Sequence, residues 1–566
     1  MKRFLLFLLV YQTVFAQIET NFYRQANREE MTKWVDSVFN TMTPDERIGQ
    51  LFMLTIDPAK PYREKTLSYI KNQKIGGILF AKGNLPEQAE STNIYQAASQ
   101  IPLFFSFDGE WGLAMRLPET PQFPRNMALG AIENNELIRL YGEEVGREMN
   151  ELGVQLNFAP VLDVNINPGN PVIGNRSFGE HSELVAEKGI AYSTGLESRK
   201  VIAVVKHFPG HGDTKEDSHK KLPVVNHNKK LMKEIDLPPF EKFIQHGFSG
   251  IMTGHLFVPA YDKTAGLASS LSPKIVNDLL RKELGFTGLI ITDALVMEGA
   301  LGTKTNPSLQ ALLAGNDILL KPVDVITAIK AIKNAVANGA VSMETIDEKC
   351  KKILSYKYIT GLNKYKPIKI EGLAQRINTE QAHLLVEKLN QEAITLLKNE
   401  EQAIPLKELN KKIAVLSIGE GNLSQFQNVL SSHGSFDNFY LPEKASAQSI
   451  QEVFKKLQKY DMVICGVHFN KRNYSAELRA LSLKTNVNLV FFITPYNLNR
   501  YSGSIERARS VTLAYENTKA AQKAAAQIIL GHIPAKGRLP VTISKLFAYG
   551  SGIQTEKADA SKSAEE

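Results

Sequence analysis

The chain has 566 residues, more than one ordinary domain of ~150 residues but suited to two, since an α/β barrel takes ~250 by itself. With 43% hydrophobic and 22% charged residues it has the balance of a globular protein with ample core material, which excludes a disordered chain, a collagen-like chain and a disulfide-dense miniprotein. Lys and Arg number 67 against 59 Asp and Glu, a net charge of +8, yet no basic run carries interleaved aromatics, so the excess reads as solvated surface and no nucleic acid partner is expected.

Residues 1–16 read as a secretory signal. Met1, Lys2 and Arg3 supply positive charge, residues 4–15 are apolar apart from Gln12 and Thr13, and Ala16 offers a small residue for cleavage before Gln17. The stretch is shorter than the ~20 apolar residues that span a bilayer. No cysteine directly follows it and no later run has transmembrane length. The expectation is a monomer exported to the periplasm or the extracellular space, without membrane insertion. Cys350 and Cys465 lie in different parts of the chain, lack the setting of a nucleophile, and read as inert.

From about residue 45 to 360, short apolar runs alternate with amphipathic stretches. Eight runs, at 51–56, 77–80, 103–107, 156–161, 202–206, 250–254, 289–292 and 318–320, are continuous rather than alternating, as buried parallel strands are. Helical patterns separate them, among them 135–151, 182–197 and 274–284. Eight such units predict a (β/α)₈ TIM-type barrel over residues 17–363. Residues 364–385, opening on Lys364-Tyr365-Lys366-Pro367, read as a linker and the start of a helix. Further apolar runs at 413–416, 462–466, 489–494 and 511–514 predict a smaller α/β sandwich domain over 386–548. Residues 549–566, mostly Ser, Lys, Glu and Ala towards the end, are expected to be a disordered tail.

Barrels of this class carry their chemistry at the C-terminal ends of the strands. Reactive residues follow the apolar runs directly: Asp108 and Glu110 after the third, Asp163 after the fourth with Arg176 in the loop beyond, Lys206 and His207 at the fifth, His255 after the sixth, Asp293 after the seventh and Lys321 after the eighth. All of these would converge on one mouth. After Lys206 and His207, Pro209, Gly210 and Gly212 break regular structure and open a long loop that contains Asp217 and His219. Two residues apart in an extended segment, the carboxylate reaches the imidazole and fixes its tautomer, leaving the other nitrogen to exchange a proton near neutral pH. Asp293 is a carboxylate held at a strand end, a position that suits either a nucleophile towards a sugar C1 or an N-cap for the helix that follows.

This constellation resembles glycoside hydrolase family 3, and within it the bacterial β-N-acetylglucosaminidases. The resemblance covers the barrel and continues through the second domain, and its most specific element is the stretch 206–219, K-H-F-P-G-H-G-D-T followed by D-S-H. It implies that Asp293, in the segment T-D-A-L-V-M-E-G, is the nucleophile and that Asp217 and His219 are the acid/base dyad. It places sugar-binding roles on Asp108, Arg116, Arg176, Lys206 and His207. It implies a retaining exo-β-N-acetylglucosaminidase acting on a carbohydrate, from peptidoglycan fragments by preference, with no metal and no organic cofactor. One departure is Trp111-Gly112-Leu113, where the group more often has glycines and a further arginine; Trp111 reads equally as a lid over the sugar or as core. His211 reads as structuring its loop, and His255 as a sugar contact or a strand-end closure. Four other readings stay open: a family 3 β-glucosidase or β-xylosidase that takes its acid from the second domain, a phosphorolytic variant, a metal-dependent barrel hydrolase using His207, His211, His219, His255 and Asp293, and an inactive sugar-binding module.

Overall fold

Eight short strands, each buried on both faces, form the first half of the protein in a computed structural model that describes residues 19–57, 63–216, 221–302, 305–407, 411–420, 423–468 and 472–557. The segment read as a secretory signal lies outside the described residues. So do Asp217, His219 and residues 558–566 of the tail.

The strands are β1 (Phe52–Ile56), β2 (Gly77–Phe80), β3 (Phe104–Phe107), β4 (Leu156–Asn157), β5 (Ile202–Phe208), β6 (Gly250–Thr253), β7 (Leu289–Thr292) and β8 (Leu319–Leu320). Their order is β7-β6-β5-β4-β3-β2-β1-β8, all parallel. A bridge between Ile291 and Ile318 brings β7 to β8 and closes the ring, with Ile318 N bonding the Ile290 carbonyl at 3.0 Å. This is the (β/α)₈ barrel expected. Strand β4 is shorter than the apolar run suggests because Pro160 has no amide hydrogen to give to a ladder. Phe158 N still bonds the Phe107 carbonyl at 2.8 Å, and beyond it the contact with β5 narrows to a bridge between Val161 and Lys206. Strand β5 instead runs two residues further than expected, to Phe208, which carries Lys206 and His207 within the strand.

Helices wrap the barrel where the amphipathic stretches lie. Asn135–Glu151 starts on Asn134, whose side chain accepts from the Glu136 amide, and buries Ile138, Tyr141, Val145 and Met149 at helical spacing. Ser182–Ser198 packs beside it: a Cβ at Gly142 would lie 2.1 Å from the Tyr192 carbonyl, so the glycine sets how closely the two helices approach.

The second sheet has the order β11-β10-β12-β13-β14-β9, from β9 (Thr395–Asn399), β10 (Ile413–Ile418), β11 (Phe436–Leu441), β12 (Met462–Val467), β13 (Asn486–Phe491) and β14 (Ser510–Leu513). It is parallel except for β9, which pairs antiparallel with β14. The alanine-rich helix Lys519–Ile529 packs on it, its small side chains joining Val415, Ile464 and Val490 in one apolar cluster. The expected boundary at 385/386 falls inside one helix, Glu380–Ala393.

The tail expectation needs correction for residues 549–557. Ile553 N bonds the Leu396 carbonyl at 2.7 Å, Leu539 N bonds Ser551 O at 2.8 Å, and Thr555 N bonds Ala535 O at 3.2 Å. Polar composition suggested disorder, but these backbone groups find partners on the sandwich, which is what orders a segment with few apolar side chains. Both cysteines are buried and unpaired, and burial pushes the Cys350 thiol up to about 12. Among the described residues, no helix is long and apolar enough to cross a membrane.

Candidate active site

Lys206 stands at the centre of a row of charges at the barrel mouth. Its Nζ lies 3.0 Å from Asp108 Oδ1 and 2.8 Å from Glu110 Oε1. Asp108 Oδ2 accepts from Arg116 Nη2 at 2.7 Å. Glu110 takes Arg176 in a two-point bond, Nε to Oε2 at 2.9 Å and Nη2 to Oε1 at 2.7 Å. The side chains come from the loop after β3, the loop after β4, and β5 itself. Three cations and two carboxylates alternate, which leaves one net positive charge and a dense set of N–H donors. Burial alone would push both carboxyls up; Lys206 and Arg116 outweigh it at Asp108, and Arg176 and Lys206 at Glu110, so both are held below their ordinary values. Burial lowers the Lys206 ammonium, but Asp108 and Glu110 outweigh that and hold it charged.

A second cluster organises the end of β5. Asp163 Oδ1 accepts from the His207 amide at 3.1 Å and the His211 amide at 2.8 Å, and Oδ2 meets His207 Nδ1 at 2.7 Å. Nδ1 donates to that carboxylate, which fixes the orientation of the His207 ring. His211 turns into the loop: its Nδ1 bonds the Thr214 hydroxyl at 2.6 Å, and burial holds the ring down to about 4, hence neutral. The loop behind them is tied to the segment after β4, where Asn170 Nδ2 donates to the His211 carbonyl at 2.8 Å and the Gly212 carbonyl at 3.1 Å, and Asn167 Nδ2 to the Thr214 carbonyl at 3.2 Å.

Asp293 follows β7. Its amide bonds the Thr253 carbonyl of β6 at 2.9 Å, and its Oδ1 accepts from the Ala294 amide at 2.7 Å. Burial pushes its carboxyl up, but His255, His207, the Ala294 amide and Lys206 together outweigh it and keep it below the ordinary value, so it is ionised at neutral pH. His255 braces the same turn, with Nε2 donating to the Ala294 carbonyl at 3.0 Å and Nδ1 on the Ser270 hydroxyl at 2.7 Å. Asp293 shares with Asp108, Arg116 and Lys321 a cavity of about 420 Å³, walled by Phe158, Met252 and Met297. A cavity of that size with apolar walls and a few convergent polar groups suits one small ligand.

The structure thus brings together Asp108, Arg116, Arg176, Lys206, His207 and Asp293 from four separate stretches of sequence. Asp217 and His219 lie outside the described residues. Trp111 is half-buried and is not among the residues lining this cavity, and the Arg125 guanidinium covers its ring at 4.6 Å. Two partners went unread in the sequence. Glu110 was visible at a strand end but not as the anchor of Arg176 and Lys206. Tyr496 of the second domain, whose hydroxyl meets Asn165 Nδ2 at 2.7 Å, had no signal at all. His207, His211 and His255 each spend a ring nitrogen on Asp163, Thr214 or Ser270, and among the described residues no three His, Cys, Asp or Glu side chains group as metal ligands do.

Residues 43–356 match the family described as glycosyl hydrolase family 3, N terminal domain. Beta-hexosaminidase A of Pseudoalteromonas piscicida is 37% identical over 304 residues, 49% of this chain and 51% of that protein, so the match spans about half of that relative's length. A beta-N-acetylglucosaminidase/beta-glucosidase of Cellulomonas fimi is 24% identical over 543 residues, 90% of this chain and 95% of its own. The solved structure of a family 3 beta-N-acetylglucosaminidase from a Paenibacillus species superposes with a TM-score of 0.76 at 28% identity, covering 89% of this chain and 99% of that one.

Proposed function

The chain belongs to glycoside hydrolase family 3, and from that membership we propose that it is a retaining exo-β-N-acetylglucosaminidase that removes terminal, non-reducing N-acetylglucosamine. Asp293 attacks C1 and forms a glycosyl ester while His219, oriented by Asp217, protonates the leaving oxygen; His219 then takes a proton from water, which opens the ester. Asp108, Arg116, Arg176, Lys206 and His207 hold the sugar hydroxyls and the acetamide. The reaction needs no metal and no organic cofactor. The single observation that carries the reading is the ionised Asp293 carboxylate on the wall of the cavity it shares with Asp108 and Arg116.

Peptidoglycan fragments are the proposed source, and a chain exported by its first 16 residues and working as a monomer would meet them outside the cytoplasm. An imidazole acid/base is neutral once it has given its proton, so it does not repel an incoming anion as a carboxylate would. Phosphate as acceptor is therefore the second reading, and the assay compares turnover of p-nitrophenyl sugars with and without it. The decisive test is the anomer released first, followed by NMR. A β-anomer is expected, together with loss of turnover in Asp293→Ala that azide restores with inverted stereochemistry; an α-anomer as first product overturns the reading.

A further inference from the structure

His227 lies outside everything described so far, yet it is wedged between two carboxylates. Its Nδ1 is 2.6 Å from Asp236 Oδ2 and its Nε2 is 3.1 Å from Asp213 Oδ2. The imidazole is nearly enclosed, Asp236 is 2% exposed, and Asp213 remains a third exposed. Asp213 sits in the loop that leaves β5, just before Asp217 and His219 in sequence. His227 sits past the point where the chain returns, beside Asn228, which caps the next helical turn by accepting from the Leu231 amide at 3.0 Å. Asp236 belongs to the turn that leads into the helix Pro238–Gln245.

We propose that His227 is a positioning residue for the acid/base loop: by bonding Asp213 and Asp236 at once it clasps the outgoing limb of that loop to the returning limb and to the barrel. The inference rests on the reading of Asp217 and His219 as the acid/base pair. Each limb has its own attachment. On the outgoing side Asn170 and Asn167 hold the carbonyls of His211, Gly212 and Thr214. On the returning side Val225 N bonds the Phe257 carbonyl at 2.9 Å and Phe257 N bonds the Pro223 carbonyl at 2.8 Å. The His227–Asp213 pair joins the limbs to each other, across the stretch that carries Asp217 and His219. Gly210 lets Asp236 come close, since its backbone has φ +128° and a Cβ there would stand 2.8 Å from Asp236 Cβ.

The clasp needs a proton on both ring nitrogens, since each faces a carboxylate oxygen. The hydrogen bond to Asp236 leads the causes that raise the His227 ring above its ordinary value, ahead of the opposing effect of burial, and the Asp213 carboxylate adds to it. Without the imidazolium, Asp213 and Asp236 face each other as like charges, with Asp163 acting on Asp236 in the same sense. The limbs would then separate, and the general acid would lose its aim at the leaving oxygen rather than its chemistry.

The test uses the full chain and two N-acetylglucosaminides, an activated dinitrophenyl glycoside and the disaccharide chitobiose. General-acid help is worth ~10²–10⁴-fold on a poor leaving group and little on a good one. His219→Ala, measured alone, should therefore lose far more on chitobiose. Asp213→Ala opens the clasp from its exposed side and spares the fold; it should lose about tenfold or more of kcat on chitobiose and about threefold or less on the dinitrophenyl glycoside. Asp213→Asn, which keeps an acceptor for Nε2, should recover most of this, and Asp213→Ala should add little once His219→Ala is present. His227→Ala should show the same bias if it folds. Equal losses of Asp213→Ala on both substrates, or none, beside a biased His219→Ala, overturn the clasp and leave the proposed function standing. An unbiased His219→Ala overturns the acid/base reading and the clasp with it.

Discussion

Glu110 does not itself line the cavity, yet it fixes two residues proposed to hold the sugar, Arg176 through a two-point bond and Lys206 at 2.8 Å. Its carboxylate is almost wholly buried, at 1% side-chain exposure, so losing its charge leaves Arg176 without its carboxylate and Lys206 with Asp108 alone. Burial raises its carboxyl, but Arg176 and Lys206 outweigh this and hold it well below the ordinary glutamate value. A depressed folded value means that the unfolded chain takes up the proton first. The stability gained is therefore complete above the unfolded value, ~4.3, and drains as pH falls towards the folded one. Glu110→Gln is expected to cost about 3 kcal/mol at pH 7, the low end for breaking a buried pair. That deficit should shrink as the wild-type enzyme is taken below pH ~4, where it loses the same contribution. Urea unfolding at the two pH values measures it; a deficit that stays constant would mean that shape, not charge, is what Glu110 provides.

The loop after β5 works as an element because it lies flat on the segment after β4. Gly212 makes this possible: a Cβ there would fall 1.8 Å from the Val164 carbonyl. Gly212→Ala should lift the loop, break the Asn170 bonds and lower kcat by on the order of 10²-fold on a disaccharide, the scale of a misplacement near 1 Å. Circular dichroism should show the barrel still folded; wild-type kcat would mean that the loop's seat is immaterial. Such elements were legible in the sequence where chemistry repeats along the chain. Strands β2 and β7 and the helix Asn135–Glu151 have the bounds that their apolar spacing predicts, because parallel strands buried on both faces and half-buried helices write distinct periods. The polar residues at the strand ends were legible for the same reason, since topology alone sends them to one mouth. Partner choice was not. Glu110 with Arg176, Asp163 with His207, and His227 between Asp213 and Asp236 depend on the path of loops, which no periodicity encodes. The returning residues 549–557 were misread because their order comes from backbone bonds rather than apolar side chains.

At the scale of the whole molecule, the second domain braces the loops that carry the site. Tyr496 holds Asn165 behind the β4 segment, and Glu180 takes the Thr542 amide at 2.9 Å. A Cβ at Gly179 would lie 2.5 Å from the Pro540 carbonyl, so the two domains meet backbone to backbone. Glu516 reaches further: its Oε1 accepts from the Arg125 amide at 2.5 Å, and the Arg125 guanidinium covers Trp111. Asp108 and Arg116 lie on the same stretch of chain, between β3 and Arg125, so the far end of the sugar-binding segment is fixed by the second domain. Burial raises the Glu516 carboxyl, against the Arg125 amide and charge. Whether ionised or not, it accepts from that amide, and removing it leaves a donor without its partner, at a cost of about 1–3 kcal/mol. The cost should appear as looser sugar binding rather than slower chemistry, because Asp293 hangs from β7, on the far side of the barrel from this contact. Glu516→Ala is therefore expected to raise KM for an N-acetylglucosaminide, and the inhibition constant of free N-acetylglucosamine, by about 5- to 100-fold. Its kcat on a dinitrophenyl glycoside should stay within about threefold of wild type. Glu516→Gln, which keeps the acceptor oxygen, should bind sugar almost as the wild type does. If Glu516→Ala left KM unchanged while lowering thermal stability, the second domain would be packing alone, and the barrel cut free at residues 364–367 should then bind sugar as well as the whole chain.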